Sequence, residues 1–326
     1  MRAVALGLML FAEAAFAQSS AVDDLLRTGR FVEAEIRLRE TVRSHPTAEV
    51  KAALAIALSG QFRFGDAEPL IADACQRNPR KDSWWFILAK CQFERGQSLL
   101  AMKSLDTALK IHESPDLLEA RAACSLQGGD PTTAEGFLRR ALAIDPDHGG
   151  SLLRLAGILI DRGQYVEASP LVLKSTVLRS DSAEAWFLHC LCERRQGRHH
   201  EALLAADRVI SFIPSHTGAI QQRIGLLRLL QRKDEARVAI ESLKTIILED
   251  DAVTAAVNGM RLAPTDCEQR KAIALRAMKL GRHDIALEQL RAVAALAPSD
   301  PGLPPLLAEL DRRRGGSASR LSGAKR

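Results

Sequence analysis

The sequence predicts an all-α protein, a solenoid made by repeating one pair of helices, and three observations carry that prediction. A glycine with an alanine five residues later recurs at Gly29/Ala34, Gly96/Ala101, Gly129/Ala134, Gly163/Ala168, Gly197/Ala202 and Gly281/Ala286. Between Gly96 and Gly197 the steps are 33, 34 and 34 residues, the sign of a stacked array. Prolines close the units in phase, at Pro46, Pro79, Pro146, Pro214 and Pro298, where a ring without an N–H cannot continue the helix before it. Composition agrees: 47% of residues are hydrophobic, only 4% aromatic and 26% charged, which suits long helices with apolar faces.

From the N-terminus, the first segment is a secretory signal pattern over residues 1–17. Arg2 precedes an apolar run from Ala3 to Ala12 and the small-x-small triplet Ala15-Phe16-Ala17, a cleavage signature. The run is too short to span a bilayer, which needs about 20 apolar residues. Gln18, rather than a cysteine, follows the triplet. The expectation is an exported, periplasmic or secreted protein; the alternative is an ordinary first helix on a cytoplasmic one.

The array is expected over 18–313. Between Gly29 and Gly96 the step is 67 residues, two units with a degenerate one between, and "FGDAEPLIADACQRNP" supplies it by placing Phe64 and Ala67 in the aromatic and alanine slots. Ala236, in "QRKDEARVAIESL", fills the other missing slot. About eight units result. In each, the glycine tolerates the backbone of a tight turn between helices. The residue two places on, Tyr165 in the fifth unit, fills the wedge beside that turn. The alanine sits where the two helices approach most closely, so a larger side chain there would force them apart. One unit cannot bury its apolar face alone, so each leans on the next.

The phase breaks once. "EDDAVTAAVNGMRLAPTD" at 249–266 adds 16 residues, enough for one further helix and turn, read either as a decayed unit or as a hinge or docking element. "PGLPPLLAELDRRR" from Pro301 reads as a capping helix. Residues 314–326 read as a flexible basic tail.

The period of 34, the glycine-aromatic-alanine frame and the tryptophans at Trp85 and Trp186, each eleven residues before its glycine, resemble the tetratricopeptide repeat over nearly the whole chain after residue 17. The resemblance implies a right-handed superhelix whose first helices line a concave groove for a peptide or helix of another protein. Carried onto this chain, groove residues would be Phe86, Lys90 and Phe93, then Glu119 and Leu126, Leu153 and Ile160, then Phe187, Leu191, Arg194 and Arg195, and finally Gln221 and Arg228: an apolar centre with a basic end. An apolar patch of that kind marks an interaction surface, and the arginines call for an acidic group on the partner. Family members that clamp chaperone C-termini use two asparagines whose places hold Ala123, Gly157 and Gly225 here, so that mode is missing. Exported members serve as scaffolds in envelope assembly or secretion, the function expected here.

Other chemistry is not signalled. The formal charge of +5 belongs to the C-terminus: six arginines and lysines follow Asp311, leaving −1 for residues 1–311. An RNA-reading array needs a basic groove with polar reading positions, which this body lacks. No phosphate-binding loop, nucleophile elbow or zinc-protease motif appears, so neither an enzyme nor a cofactor is expected. Cys190 and Cys192 point about 200° apart on one helix, which prevents them from closing on one metal ion together with His199 and His200. Cys91 and Cys124 occupy equivalent places in adjacent units, too far apart for a bridge. A bridge between Cys75 and Cys91 on consecutive helices stays open for an exported protein.

Overall fold

A computed structural model of the protein describes residues 21–297 and 300–313; the signal pattern at 1–17 and the tail at 314–326 lie outside them. Every regular element among the described residues is a helix. Where the sequence suggests one uninterrupted array, the contacts gather the chain into two compact units, the first reaching Asp130 and the second starting at Pro131.

The first unit comprises α1 (21–27), α2 (Phe31–Ser44), α3 (Ala48–Gly60), α4 (Phe64–Arg77), α5 (Asp82–Glu94), α6 (Ser98–Ile111) and α7 (Pro115–Gln127). The second comprises α8 (Pro131–Ile144), α9 (Gly149–Asp161), α10 (Tyr165–Leu178), α11 (Ala183–Arg195), α12 (His199–Phe212), α13 (Thr217–Leu229), α14 (Lys233–Gly259), α15 (Cys267–Lys279), α16 (His283–Leu296) and α17 (Leu303–Arg313). Helices of 13 residues alternate with helices of 14 from α2 to α13. In each unit, the helices from α2 onward pack mainly on their neighbours in sequence.

The turns explain the glycine frame. Gly29, Gly96, Gly129, Gly163, Gly197 and Gly281 all have φ between +69° and +77°, a conformation that glycine adopts without penalty. The degenerate repeats keep the same backbone without the glycine: Phe62 and Gln231, the residues in that slot, both have φ +60°.

The alanines five residues on are Ala34, Ala67, Ala101, Ala134, Ala168, Ala202, Ala236 and Ala286, and all eight are buried. Ala134 on α8 and Ala168 on α10 have no exposed surface at all. They are core residues of the second unit, and no ligand can reach them: their role is to let the helices close up, not to form any part of a binding surface.

First and second helices start differently. Thr47, Ser114, His148, Ser182, His216 and Asp266 cap α3, α7, α9, α11, α13 and α15 by accepting a backbone N–H; α5, preceded by Lys81, has no such cap. The second helices α2, α4, α6, α10, α12, α14 and α16 leave the turn with no side-chain cap. Trp85 and Trp186 each brace the entry to a first helix: the indole N–H of Trp85 donates to the Pro79 carbonyl at 3.0 Å and that of Trp186 to the Ser180 carbonyl at 2.9 Å. In the eighth repeat Arg270 takes this slot and donates to the Pro264 carbonyl.

Ion pairs link a second helix to the next turn. Glu35 on α2 meets Arg63 at 2.8 Å, and Glu68 on α4 meets Arg95. In the second unit Glu135 on α8 meets Arg162, and Arg139 meets Glu167 at 2.7 Å. Burial pushes the Glu35 carboxyl up, but Arg39, Gln61 and Arg63 outweigh it and hold the group below its ordinary value. The more exposed pairs stabilise by no more than about 1 kcal/mol each.

The 16 extra residues do not make a separate helix and turn. They continue the second helix of the seventh repeat, so that α14 runs for 27 residues from Lys233 to Gly259. The physical reason is an absence of breakers: no glycine or proline interrupts the stretch before Gly259, and the proline that closes other units comes only at Pro264. Val253 and Met260, seven apart, bury the inner face of this extension, and Asp250 is held by Arg282 at 2.8 Å. The hairpin α15–α16 is joined to the α12–α13 loop by the Ser215 hydroxyl, which donates to the Lys279 carbonyl at 3.2 Å. α17 covers its end, burying Leu303 and Leu310.

Candidate functional site

Two clefts open on the first helices, one in each unit. In the first unit a cleft of about 320 Å³ is lined by α1, α3 and α5, the first helices of three consecutive repeats, together with Phe31 at the start of α2. Its walls are Leu26, Phe31, Ile56, Trp84, Phe86 and Ile87, with Lys90, Arg27 and Asp23 at hand. Gly60 shapes this cleft: a Cβ there would lie 2.5 Å from the Phe31 ring, so any larger residue must displace the aromatic wall. Phe86 and Lys90, predicted for the groove, are both lining residues. Phe93 is half-buried and, like Phe86, packs partly on the cluster around Ala101 and Leu105; neither it nor Leu126, also half-buried, reaches the cleft.

The second cleft, about 400 Å³, lies between α11 and α13 and is lined by Leu191, Arg194, Arg195, His199, Gln222 and Leu229. Three of these, Leu191, Arg194 and Arg195, were expected from the sequence. Phe187 stands beside them rather than in the cleft, its ring 4.8 Å from that of His216 and over Gly218. Arg228 and Gln221 are exposed on α13.

Leu153 and Ile160 have to be withdrawn from the groove. They are 3% and 8% exposed and belong to the core of the second unit. α9 touches α11 directly, and a Leu or Ile at these positions is short enough to be covered, whereas Phe187 and Arg194 at the same places in the next repeat are longer and stay half-exposed.

The residues missed, Leu26, Ile56 and Asp23, had a signal. They stand three or six places before the residue with positive φ in repeats one and two, as Lys90 and Leu191 stand six before and Arg194 three before theirs. Extending the register to the first two repeats finds them.

The cysteines are not site residues. Cys75, Cys91, Cys124, Cys190 and Cys192 are buried free thiols and Cys267 is half-buried; the Cys75–Cys91 bridge left open by the sequence is not formed. Burial pushes the thiols of Cys75, Cys91 and Cys190 up to about 12 and that of Cys192 to about 11, so they stay protonated and unreactive. Burial lowers the pKa of His189, whose charged form Glu193 favours to a lesser degree.

Repeated helical hairpins with clefts on their first helices are the architecture of an interaction scaffold. Tetratricopeptide repeat family models match residues 52–116 and 125–186, so the chain carries tetratricopeptide repeats over those residues. A tetratricopeptide repeat protein from Parabacteroides merdae is similar in structure, with 17% identity over 81% of this chain and 98% of its own and a TM-score of 0.51. The hetero-tetramer Cut9-Hcn1 of the APC/C matches 89% of this chain and 48% of its own at 14% identity, also with a TM-score of 0.51. At such identities these likenesses show the fold alone. Among curated proteins, cellulose synthase operon protein C of Xanthomonas axonopodis pv. citri is 25% identical over 202 residues, 57% of this chain. The chain spans 13% of that relative's length. No helix among the described residues is long and apolar enough to cross a membrane.

Proposed function

We propose that the protein is an exported interaction scaffold that holds a peptide or helix of a partner protein in its first-helix clefts, within an envelope assembly or secretion system. The observation that carries the binding role is the first cleft: first helices from three repeats turn partly exposed apolar side chains, Leu26, Ile56 and Phe86, toward one opening. A chain that gains nothing from exposing such a surface keeps it for a ligand with apolar anchors. The signal pattern at residues 1–17 supports export. The relative from a cellulose synthase operon supports a setting in polymer synthesis or secretion.

The test is a photo-crosslinking amino acid in place of Phe86, irradiated in the living host, with adducts identified by mass spectrometry. An envelope protein crosslinked at Phe86 is expected. A cytosolic partner would overturn export and favour an adaptor inside the cell; a folded, abundant protein giving no adduct would overturn the first cleft as a binding site.

A further inference from the structure

We infer that the cleft between α11 and α13 docks an acidic segment of a partner protein, an aspartate or glutamate side chain flanked by an aliphatic one. The inference rests on the reading of the chain as a protein-binding array and gives one of its clefts a ligand chemistry.

Its basis is the way two arginines are held. The Arg194 guanidinium donates to the Gln222 side-chain oxygen and lies over Gly225, where a Cβ would stand 3.4 Å from Nη2. Arg195 is stacked on the Tyr165 ring, 5.5 Å from its centroid. Both cations are therefore oriented before any ligand arrives, which reduces the ordering cost of binding. Neither meets a carboxylate among the described residues. Their neighbours do: Arg198 pairs with Glu193, Arg223 with Asp207 and Arg232 with Glu235. Three neighbouring arginines are thus neutralised while the two that face the cleft are left uncompensated, and no Asp or Glu lines it.

Guanidinium forks match a carboxylate, and a concave site of one sign draws the opposite charge. Leu191 and Leu229, the latter 55% exposed, add an aliphatic wall that a protein side chain can use. A nucleic-acid strand would want a free aromatic face for its bases, and the nearby ring of Tyr165 is already covered by Arg195.

The test pans a random peptide library displayed on phage against the full chain, then measures labelled selected peptides by fluorescence anisotropy. Selected peptides are expected to carry Asp or Glu beside Leu, Ile or Val. Their affinity should fall about tenfold or more in Arg194→Gln/Arg195→Gln and weaken with salt. Gly225→Asp keeps both arginines, sets a carboxylate against Arg194 from within, and should lose binding equally. Circular dichroism of each variant checks the fold. Peptides that bind without an acid, indifferent to all three substitutions but sensitive to Phe86→Ala, would overturn this inference and leave the first cleft standing. A library that yields no binder would overturn both readings. An RNA oligonucleotide that displaces the acidic peptides and binds more tightly than they do would overturn the protein ligand in favour of a polyanion.

Discussion

Gln231 and Gly197 occupy the same place in neighbouring repeats, with φ +60° and +77°, and exchanging their chemistry measures what the turn demands. The left-handed conformation costs a non-glycine residue about 1–2 kcal/mol, while a glycine gives back about 0.4–1 kcal/mol through the freedom of the unfolded chain. Gln231 is exposed, so losing its side chain sacrifices little packing. Gln231→Gly should therefore stabilise the protein by about 0.5–1 kcal/mol. Gly197→Ala should destabilise it by a similar amount, since a Cβ at Gly197 meets nothing within 4 Å and only the backbone is penalised. Phe62 is the internal control. It shares the conformation but is only 9% exposed and lies edge-on to Phe64, ring centroids 6.2 Å apart. Removing a buried phenylalanine costs about 3–5 kcal/mol, which exceeds the relief of the turn, so Phe62→Gly should be destabilising. Urea unfolding followed by far-ultraviolet circular dichroism reads all three. A lowered midpoint for Gln231→Gly, or a raised one for Phe62→Gly, would refute the assignment of the turn.

Ala202→Leu inserts a large side chain where α11 and α12 meet and should cost about 1–3 kcal/mol, read as a lower urea midpoint; no change would mean that the helices are not in close contact there. Leu153→Ala should cost about 2–5 kcal/mol in the same assay, and a value near zero would return Leu153 to the groove. His189 and His216 have pKa values lowered by burial, so the unfolded chain takes up protons first. Their contribution is complete above the ordinary histidine value of about 6.5 and declines as pH falls below it. Unfolding midpoints should drop between neutral and mildly acid pH, and less so in His189→Gln; an unchanged slope in that variant would remove His189 from the account. In the folded protein a thiol reagent should modify Cys267 alone, the other five cysteines reacting only on denaturation; rapid modification of more than one thiol would contradict their burial.

The turns and the close helix contacts could be read from the sequence because each rests on a local requirement. Glycine marks a positive φ, alanine marks a close approach, as Ala134 and Ala168 show by their complete burial, and phase alone located the degenerate repeats through Phe64, Ala67 and Ala236. The groove was less legible. Phe86 and Arg194 reach a cleft while Leu153 and Ile160, in the equivalent columns, do not, because exposure there depends on how closely adjoining first helices lie and on how long each side chain is. Neither quantity is periodic. Gln222 and Gly225 gain their roles only through Arg194, which lies 28 and 31 residues away in sequence. The continuity of α14, by contrast, is written in the sequence as a run without glycine or proline from Lys233 to Asn258, although the regular period calls for a turn within it.

That long helix has a mechanical consequence. At a rise of about 1.5 Å per residue, the 13 residues of α14 beyond the ordinary second-helix length of 14 extend it by about 20 Å past the point where other repeats turn back. The hairpin α15–α16 with α17 is thus carried on a stiff arm, fastened by Asp250 to Arg282 and by Ser215 to the Lys279 carbonyl. Tension applied at the C-terminus therefore reaches the preceding repeats through this one helix, its two polar fastenings and the buried Val253 and Met260.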